Sequence, residues 1–383
     1  MEIAKFLKMM NDKSWDDYKV LSNKYPKDFD DYLKNLQDLY YTELPLKDHF
    51  GSKMVYLKDH ARINVNAIKG LLEYQNTSYS SNILENEILA TSAIENIEYK
   101  KESVKSILKG HAPKDEAEKR IKGLKKGFEF IADPANKINE ENIYALYMMA
   151  IGNYLSDEDK PKNGFYYRDD AVYIVGSKVE HTGIDYKLLP QYMRDLVSFI
   201  NSKDAIDDLS KACIIHFYIA YLHPWFDGNG RMARFLHLWF LIQKGYLSTL
   251  FIPFSIKINN HRKAYYAYKK IERNHLYTKK IDITPFISYF ADNVYNDIEK
   301  KSFDMLKNYR SLLKEGQITE KEASLWNFVL SQFSDSPFST KELEKAYGNA
   351  AYATIRSFVL KFSALGLLET IKYTTKNKYK IKS

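Results

Sequence analysis

Between His223 and Arg234 the chain reads His-Pro-Trp-Phe-Asp-Gly-Asn-Gly-Arg-Met-Ala-Arg, and nearly every polar residue in it could act on a phosphate ester. Gly228, Asn229 and Gly230 stand immediately before a predicted helix start. Free backbone N–H groups and the helix dipole favour an anion there, and glycine lets the backbone approach it closely. Arg231 and Arg234 lie three apart in the first turn, so both guanidinium groups can reach one polyphosphate. Asp227 sits at the rim, where a carboxylate suits a Mg²⁺ bridging phosphate oxygens. His223 precedes it by one turn and could take the proton of an attacking hydroxyl. Each part alone has an ordinary explanation: a structural histidine beside proline, a tight turn, arginines on a solvated face. A base, a metal ligand, an anion cradle and two arginines in this order point instead to phosphoryl or nucleotidyl transfer.

This stretch resembles the signature of the Fic family of protein nucleotidyltransferases, HPFx(D/E)GNGRxxR, and departs from it only at Trp225, where the family usually has Phe. The resemblance implies transfer of AMP from ATP to a Tyr, Ser or Thr hydroxyl of a target protein, with release of pyrophosphate. It implies His223 as general base, Asp227 as Mg²⁺ ligand and Gly228, Asn229 and Gly230 as the α/β-phosphate cradle. Arg231 would then steady the phosphates as charge builds up, and Arg234 would grip the γ-phosphate. A different donor, or phosphate or phosphocholine transfer, keeps the same fold, but two arginines suited to a triphosphate favour ATP.

Three further segments extend the resemblance. Gly164-Phe-Tyr-Tyr-Arg168 followed by Ala-Val-Tyr-Ile-Val resembles the family's G-x-YR and its flap, here a hairpin over 171–183 that would dock a target segment by strand addition. Tyr265 and Tyr266 resemble a tyrosine pair lining the nucleotide base pocket, and Asn274 resembles a downstream asparagine of that pocket with the spacing one residue off. Thr91-Ser-Ala-Ile-Glu95-Asn96 resembles the inhibitory motif (S/T)xxxE(G/N). Lying N-terminal to the core, it implies that Glu95 would pair with Arg234 and keep ATP from seating productively. In the family the same glutamate can position a water that removes AMP.

The elements that must hold these residues are mostly helices. Tyr32, Leu33, Leu36, Leu39 and Tyr40 make a helical stripe within 1–80, which reads as charged helices. At least one more helix follows over 81–108, with the inhibitory motif at about 84–97, then two over 115–170. The flap hairpin is expected to be the only β-structure in the first 310 residues. Helices follow over 187–201, 209–222 and 231–244, with two more in 260–310. Beyond these, Thr319-to-Glu322 and Ser339-to-Glu342 are capping boxes, a third helix covers 350–364, and Gly366 precedes a hairpin. Three helices and a wing predict a winged-helix module.

The chain of 383 residues is long enough for two or three domains, and 45% hydrophobic with 15% aromatic residues suffices for a packed core rather than disorder. The expected fold is mainly α: a Fic-type helical bundle with a flap, plus the winged helix. Its divisions are 1–110 with the inhibitory helix, 111–310 as catalytic core, and 317–383. The single cysteine, Cys213, excludes an internal disulfide and a cysteine-held zinc, which favours a reducing, cytoplasmic setting. No apolar run suits a membrane span. Net charge is +8, mostly scattered lysine, and the segment 317–383 carries ten basic against six acidic residues. Arg356, Lys361, Lys372, Lys376, Lys378 and Lys380 could meet DNA there, although such modules also dock proteins or form homodimers. A DNA-binding regulator with a nucleotide-sensing core is the competing reading, and the presence of both His223 and Asp227 favours the enzyme. Self-modification on one of the tyrosines is a further expectation.

Overall fold

The computed structural model describes residues 1–58, 60–61, 63, 81–175, 179–246, 254–265, 268–296, 308–309, 311–333, 337–373 and 376–382. Three short helices open the chain, α1 (Ile3–Met10), α2 (Tyr18–Lys24) and α3 (Phe29–Asn35). Their apolar faces bury Phe6, Met9, Tyr18, Leu21, Phe29 and Tyr32 in a cluster of their own. An antiparallel hairpin follows, β1 (Tyr41–Lys47) with β2 (Lys53–Leu57), in the register Tyr41 opposite Leu57. This corrects the expectation of a single hairpin before residue 310. Leu44, Leu46, Met54 and Tyr56 alternate at period two and bury one face against the main core. Val55 also exchanges backbone hydrogen bonds with Ile281 and Ile283, both at 2.9 Å.

Next come α4 (Ser81–Ile94), α5 (Lys101–Leu108), α6 (Glu116–Ala132) and α7 (Glu140–Ala150). Asp115 and Asn139 open the last two by accepting the backbone N–H of Glu118 and Asn142. The expected flap is a two-stranded antiparallel hairpin, β3 (Tyr173–Val175) and β4 (Val179–Thr182); residues 176–178 of the expected 171–183 lie outside the described residues. Helix α8 (Leu189–Asn201) leads into α9 (Asp208–Leu222) and α10 (Asn229–Gln243). These last two carry apolar residues around most of their circumference and are buried almost throughout, so they form the centre of the bundle and pack on each other. Asp207 caps α9 through the Ser210 N–H. Around them lie α11 (Phe254–Asn260), α12 (Arg262–Tyr265), α13 (Tyr268–Thr278) and α14 (Thr284–Phe290).

The C-terminal elements form a second apolar cluster around Trp326, Val329, Leu343, Phe358 and Phe362. They are α15 (Glu320–Phe333), α16 (Thr340–Tyr347), α17 (Tyr352–Ala364) and the antiparallel pair β5 (Leu368–Tyr373) and β6 (Lys376–Ile381). Both capping boxes form: Glu322 and Ser339 exchange bonds with Thr319 and Glu342 respectively across each helix start. Helix α15 lies against α4. The molecule is thus mainly helical, with a few short two-stranded sheets among the described residues.

Candidate active site

The loop between α9 and α10 carries the residues singled out above. His223 ends α9 with φ 52° and ψ 61°, a left-handed conformation unusual for a residue with a Cβ. Surrounding groups hold it there. Arg168, 2% exposed, donates from Nε to the His223 carbonyl at 2.8 Å and from its other nitrogens to the carbonyls of Asp170 and Ile184. The Arg168 N–H bonds the Pro224 carbonyl at 3.0 Å, and the Ile184 N–H bonds that of Leu222 at 3.2 Å. Burial lowers the Arg168 pKa, against the pull of Asp185 and Asp170. The His223 Nδ1 lies 3.4 Å from the Ala220 carbonyl, and with a proton on Nδ1 the nitrogen able to accept one is Nε2.

Trp225 and Asn229 make the loop rigid. The Trp225 ring is fully buried, stacks on Tyr147 at 4.4 Å, and donates from Nε1 to the Tyr166 carbonyl at 3.0 Å. Asn229 closes a ring of its own: Oδ1 accepts the Trp225 N–H at 2.9 Å and Nδ2 donates to the Trp225 carbonyl at 2.7 Å. The Asn229 side chain, expected among the phosphate-binding groups, is therefore committed to the loop. Gly228 supplies the left-handed corner with φ 85°. The Tyr147 hydroxyl reaches the Asp227 carbonyl at 3.3 Å.

Asp227 presents its carboxylate at the rim, 55% exposed, with Oδ2 accepting from Arg231 Nη2 at 3.0 Å. No cluster of three or more metal-ligating side chains occurs among the described residues. One exposed carboxylate fits a Mg²⁺ that is held chiefly by phosphates and water, and does not fit a metal bound by protein alone. Arg231 is buried, and its Nε has no hydrogen-bond partner.

Arg234 is held by the segment expected to oppose it. Its Nη2 donates to Glu95 Oε1 at 2.7 Å and to the Thr91 carbonyl at 3.0 Å, and its Nε donates to Thr91 Oγ1 at 2.8 Å. Burial disfavours the guanidinium charge, but Glu95 and Tyr265 beside it outweigh that and raise its pKa. Gly230 lies directly beneath Glu95, and a Cβ at that position would run into the carboxylate. Asn96 turns the chain away from α4 with φ 59°, a conformation that Asn and Gly tolerate best, and accepts from Arg262 Nη2 at 2.7 Å.

Tyr265 is buried rather than open at a pocket wall. Its hydroxyl lies 2.7 Å from His216 Nε2 and 3.5 Å from Arg234 Nη1. Tyr266 lies outside the described residues. Asn274 serves the N-terminal segment instead of a base pocket: Oδ1 accepts the Tyr18 N–H at 3.0 Å and Nδ2 donates to the Asp16 carbonyl at 2.9 Å. On the flap, Tyr173 is exposed. Sequence reasoning missed the Arg168 clamp on His223, although it had quoted Arg168 in a motif. It also missed Glu87, a fully buried carboxyl on α4 whose pKa burial pushes up to about 7.

Residues 137–241, which include this whole loop, match the family model described as Fic/DOC family. A protein adenylyltransferase Fic of Aedes aegypti is 29% identical over 178 residues, 45% of this chain and 32% of that protein. A probable protein adenylyltransferase of Aquifex aeolicus is 28% identical over 189 residues, 47% of this chain and 56% of that protein. The chain thus spans about a third to about half the length of these curated relatives. Among solved structures, a Fic family protein from Desulfovibrio desulfuricans superposes with a TM-score of 0.46 at 19% identity, covering 79% of this chain and 87% of that one.

Proposed function

We propose that this chain, which belongs to the Fic/DOC family through its residues 137–241, is a protein adenylyltransferase held off by its own helix α4. In the reaction a Tyr, Ser or Thr hydroxyl of the target attacks the α-phosphorus of ATP. Its proton passes to His223 Nε2, the bond from the α-phosphorus to the bridging oxygen breaks, and pyrophosphate leaves. Backbone N–H groups at Gly228, Asn229 and Gly230 hold the phosphates, Arg231 stabilises the charge that develops, and Arg234 fixes the γ-phosphate. A Mg²⁺ held by Asp227 would supply charge neutralisation between phosphate groups. The flap 171–183 accepts an extended target segment at its strand edge. Residues 317–383 act as a winged helix toward DNA or a protein partner, a second copy of the chain included.

The observation that carries this reading is the grip of Thr91 and Glu95 on Arg234, because the same guanidinium cannot serve a γ-phosphate while Glu95 holds it. With Glu95 withdrawn, the phosphates can align for attack. Its carboxylate could also orient a water that hydrolyses the AMP ester, releasing AMP and restoring the target hydroxyl.

Intact mass after incubation with ATP and Mg²⁺ tests the reading on wild type, Glu95→Gly, and Glu95→Gly with His223→Ala. An AMP-sized gain, on the protein itself or on an added acceptor, is expected for Glu95→Gly and should vanish in the double variant. A gain that survives His223→Ala would remove His223 from its role. Detectable ATP binding with no transfer in any variant would favour a nucleotide-sensing regulator, and DNA binding by residues 317–383 would then be measured.

A further inference from the structure

We propose that Glu87 is the positioning residue of the α4 brake: by tying α4 to the start of α11 it sets how firmly Glu95 stays on Arg234. The inference rests on Glu95 being the inhibitory residue.

Glu87 and Thr91 lie four residues apart on one side of α4, and Glu95 follows at the same spacing in the turn just after it. Thr91 and Glu95 both bond Arg234, and Glu87 lies in the field of the same guanidinium. Glu87 is completely buried, and its Oε1 accepts the backbone N–H of Ser255, in the first turn of α11, at 2.9 Å. Its second carboxyl oxygen is buried without a hydrogen-bond partner. Burying a carboxyl in this way is costly. What it contributes is direction: apolar side chains let two helices slide over each other, whereas one hydrogen bond across the contact selects a single register.

Arg234 needs that register. It donates three bonds to α4 and the turn after it, two of them to Thr91 and one to Glu95, and a small displacement of the helix breaks the set. Helices α4 and α11 also pack against each other, and the hydrogen bond adds a fixed polar contact to that packing. A cavity lined by Arg234, Ser255, His216 and His237, with room for about one water, lies among α9, α10, α11 and α14 next to Ser255. The Glu87–Ser255 bond holds α4 and α11 together beside it.

The test uses the full chain in six forms: wild type, Glu87→Ala, Glu87→Gln, Glu95→Gly, Glu87→Ala with Glu95→Gly, and Ser255→Pro. Two readouts are taken, AMP incorporation by mass and ATP affinity by calorimetry with Mg²⁺. Glu87→Ala is expected to raise both by about fivefold, the scale of one lost hydrogen bond. Glu87→Gln keeps the acceptor for the Ser255 N–H and should stay within about twofold of wild type on the same scale. In the Glu95→Gly background the Ala substitution should add less than about twofold, because the partner it positions is gone. Ser255→Pro removes the donor from the other side, at a first-turn position that tolerates proline, and should reproduce Glu87→Ala; it replaces that variant if Glu87→Ala shows no cooperative melt. A silent Glu87→Ala beside an active Glu95→Gly overturns the anchor alone. Equal gains in both backgrounds also overturn it, by showing an effect that does not pass through Glu95. A Glu95→Gly protein that gains nothing in either readout overturns the inhibitory reading and the anchor with it.

Discussion

The carboxylate of Glu95 rests on Gly230, so close that no side chain larger than hydrogen fits between them. Gly230 belongs to the first turn of α10, where backbone N–H groups and the helix dipole attract an anion. Glu95 therefore meets the positive helix end and the Arg234 guanidinium together, in the manner of a tethered anion. A carboxylate and a phosphate cannot both occupy that place.

Glu95→Gln should give an intermediate enzyme. The amide keeps the shape but replaces a charge-assisted bond of 2.7 Å with a neutral one roughly half as strong. ATP affinity, measured by calorimetry, is expected to fall between wild type and Glu95→Gly, with AMP incorporation in the same order. A Gln variant indistinguishable from wild type would mean that the charge of Glu95 does not compete with ATP for Arg234.

Arg168→Lys in a Glu95→Gly background should separate binding from chemistry. Lysine keeps the charge but cannot reach the His223, Asp170 and Ile184 carbonyls together as the guanidinium does. With His223 no longer held, the maximal rate of transfer is expected to drop by about tenfold to a hundredfold, while ATP affinity changes less than about twofold. A parallel loss of affinity would show that Arg168 supports the whole loop instead.

Stability should depend on pH through Glu87 in a definite direction. Burial raises its pKa from 4.5 to about 7, so the unfolded chain releases this proton first. The contribution is fully present below pH 4.5 and is lost as pH rises through about 7, by a few kcal/mol at most. Glu87→Gln removes that loss. Urea melts at pH 5 and pH 8 are expected to show the Gln variant gaining on wild type toward the alkaline end, and a constant difference would contradict the assignment.

Trp225→Phe, the residue usual in the family signature, should cost stability here. It removes the Nε1 bond to the Tyr166 carbonyl and leaves a gap over Tyr147 in a fully buried site. A loss of about 1–3 kcal/mol is expected in denaturant melts. An unchanged midpoint would mean that Tyr166 finds another donor.

The parts of the site most legible in the sequence were those whose chemistry is local. The loop from His223 to Arg234, its flanking helices and the two capping boxes depend on residues close in sequence, and they appear where spacing put them. What lay hidden depends on distant partners. The β1–β2 hairpin carried its alternation at Leu44, Leu46, Met54 and Tyr56, but Pro45 and nearby lysines obscured it, and its burial comes from residues more than 150 positions away such as Tyr218. Asn229 looked like a phosphate ligand because its amide partner, the Trp225 backbone, becomes visible only once the turn closes. Tyr265 and Asn274 fell on plausible positions of a motif, and packing against His216 and Tyr18 determined their contacts. Nothing about Glu87 in a list of residues distinguishes it from a solvated helix glutamate.

The way the first residues attach to the body also bears on how the protein is made. The Leu57 N–H bonds Thr284 Oγ1 across 227 positions, and Tyr18 bonds Asn274 across 256. At ribosomal speeds of about 5–20 residues per second, β2 waits roughly 10–45 s for its partner to be synthesised. During that interval the strands it belongs to have an open edge and an uncovered apolar face, so the nascent chain is exposed to chaperones and proteases at its beginning, long before the loop from His223 to Arg234 is complete.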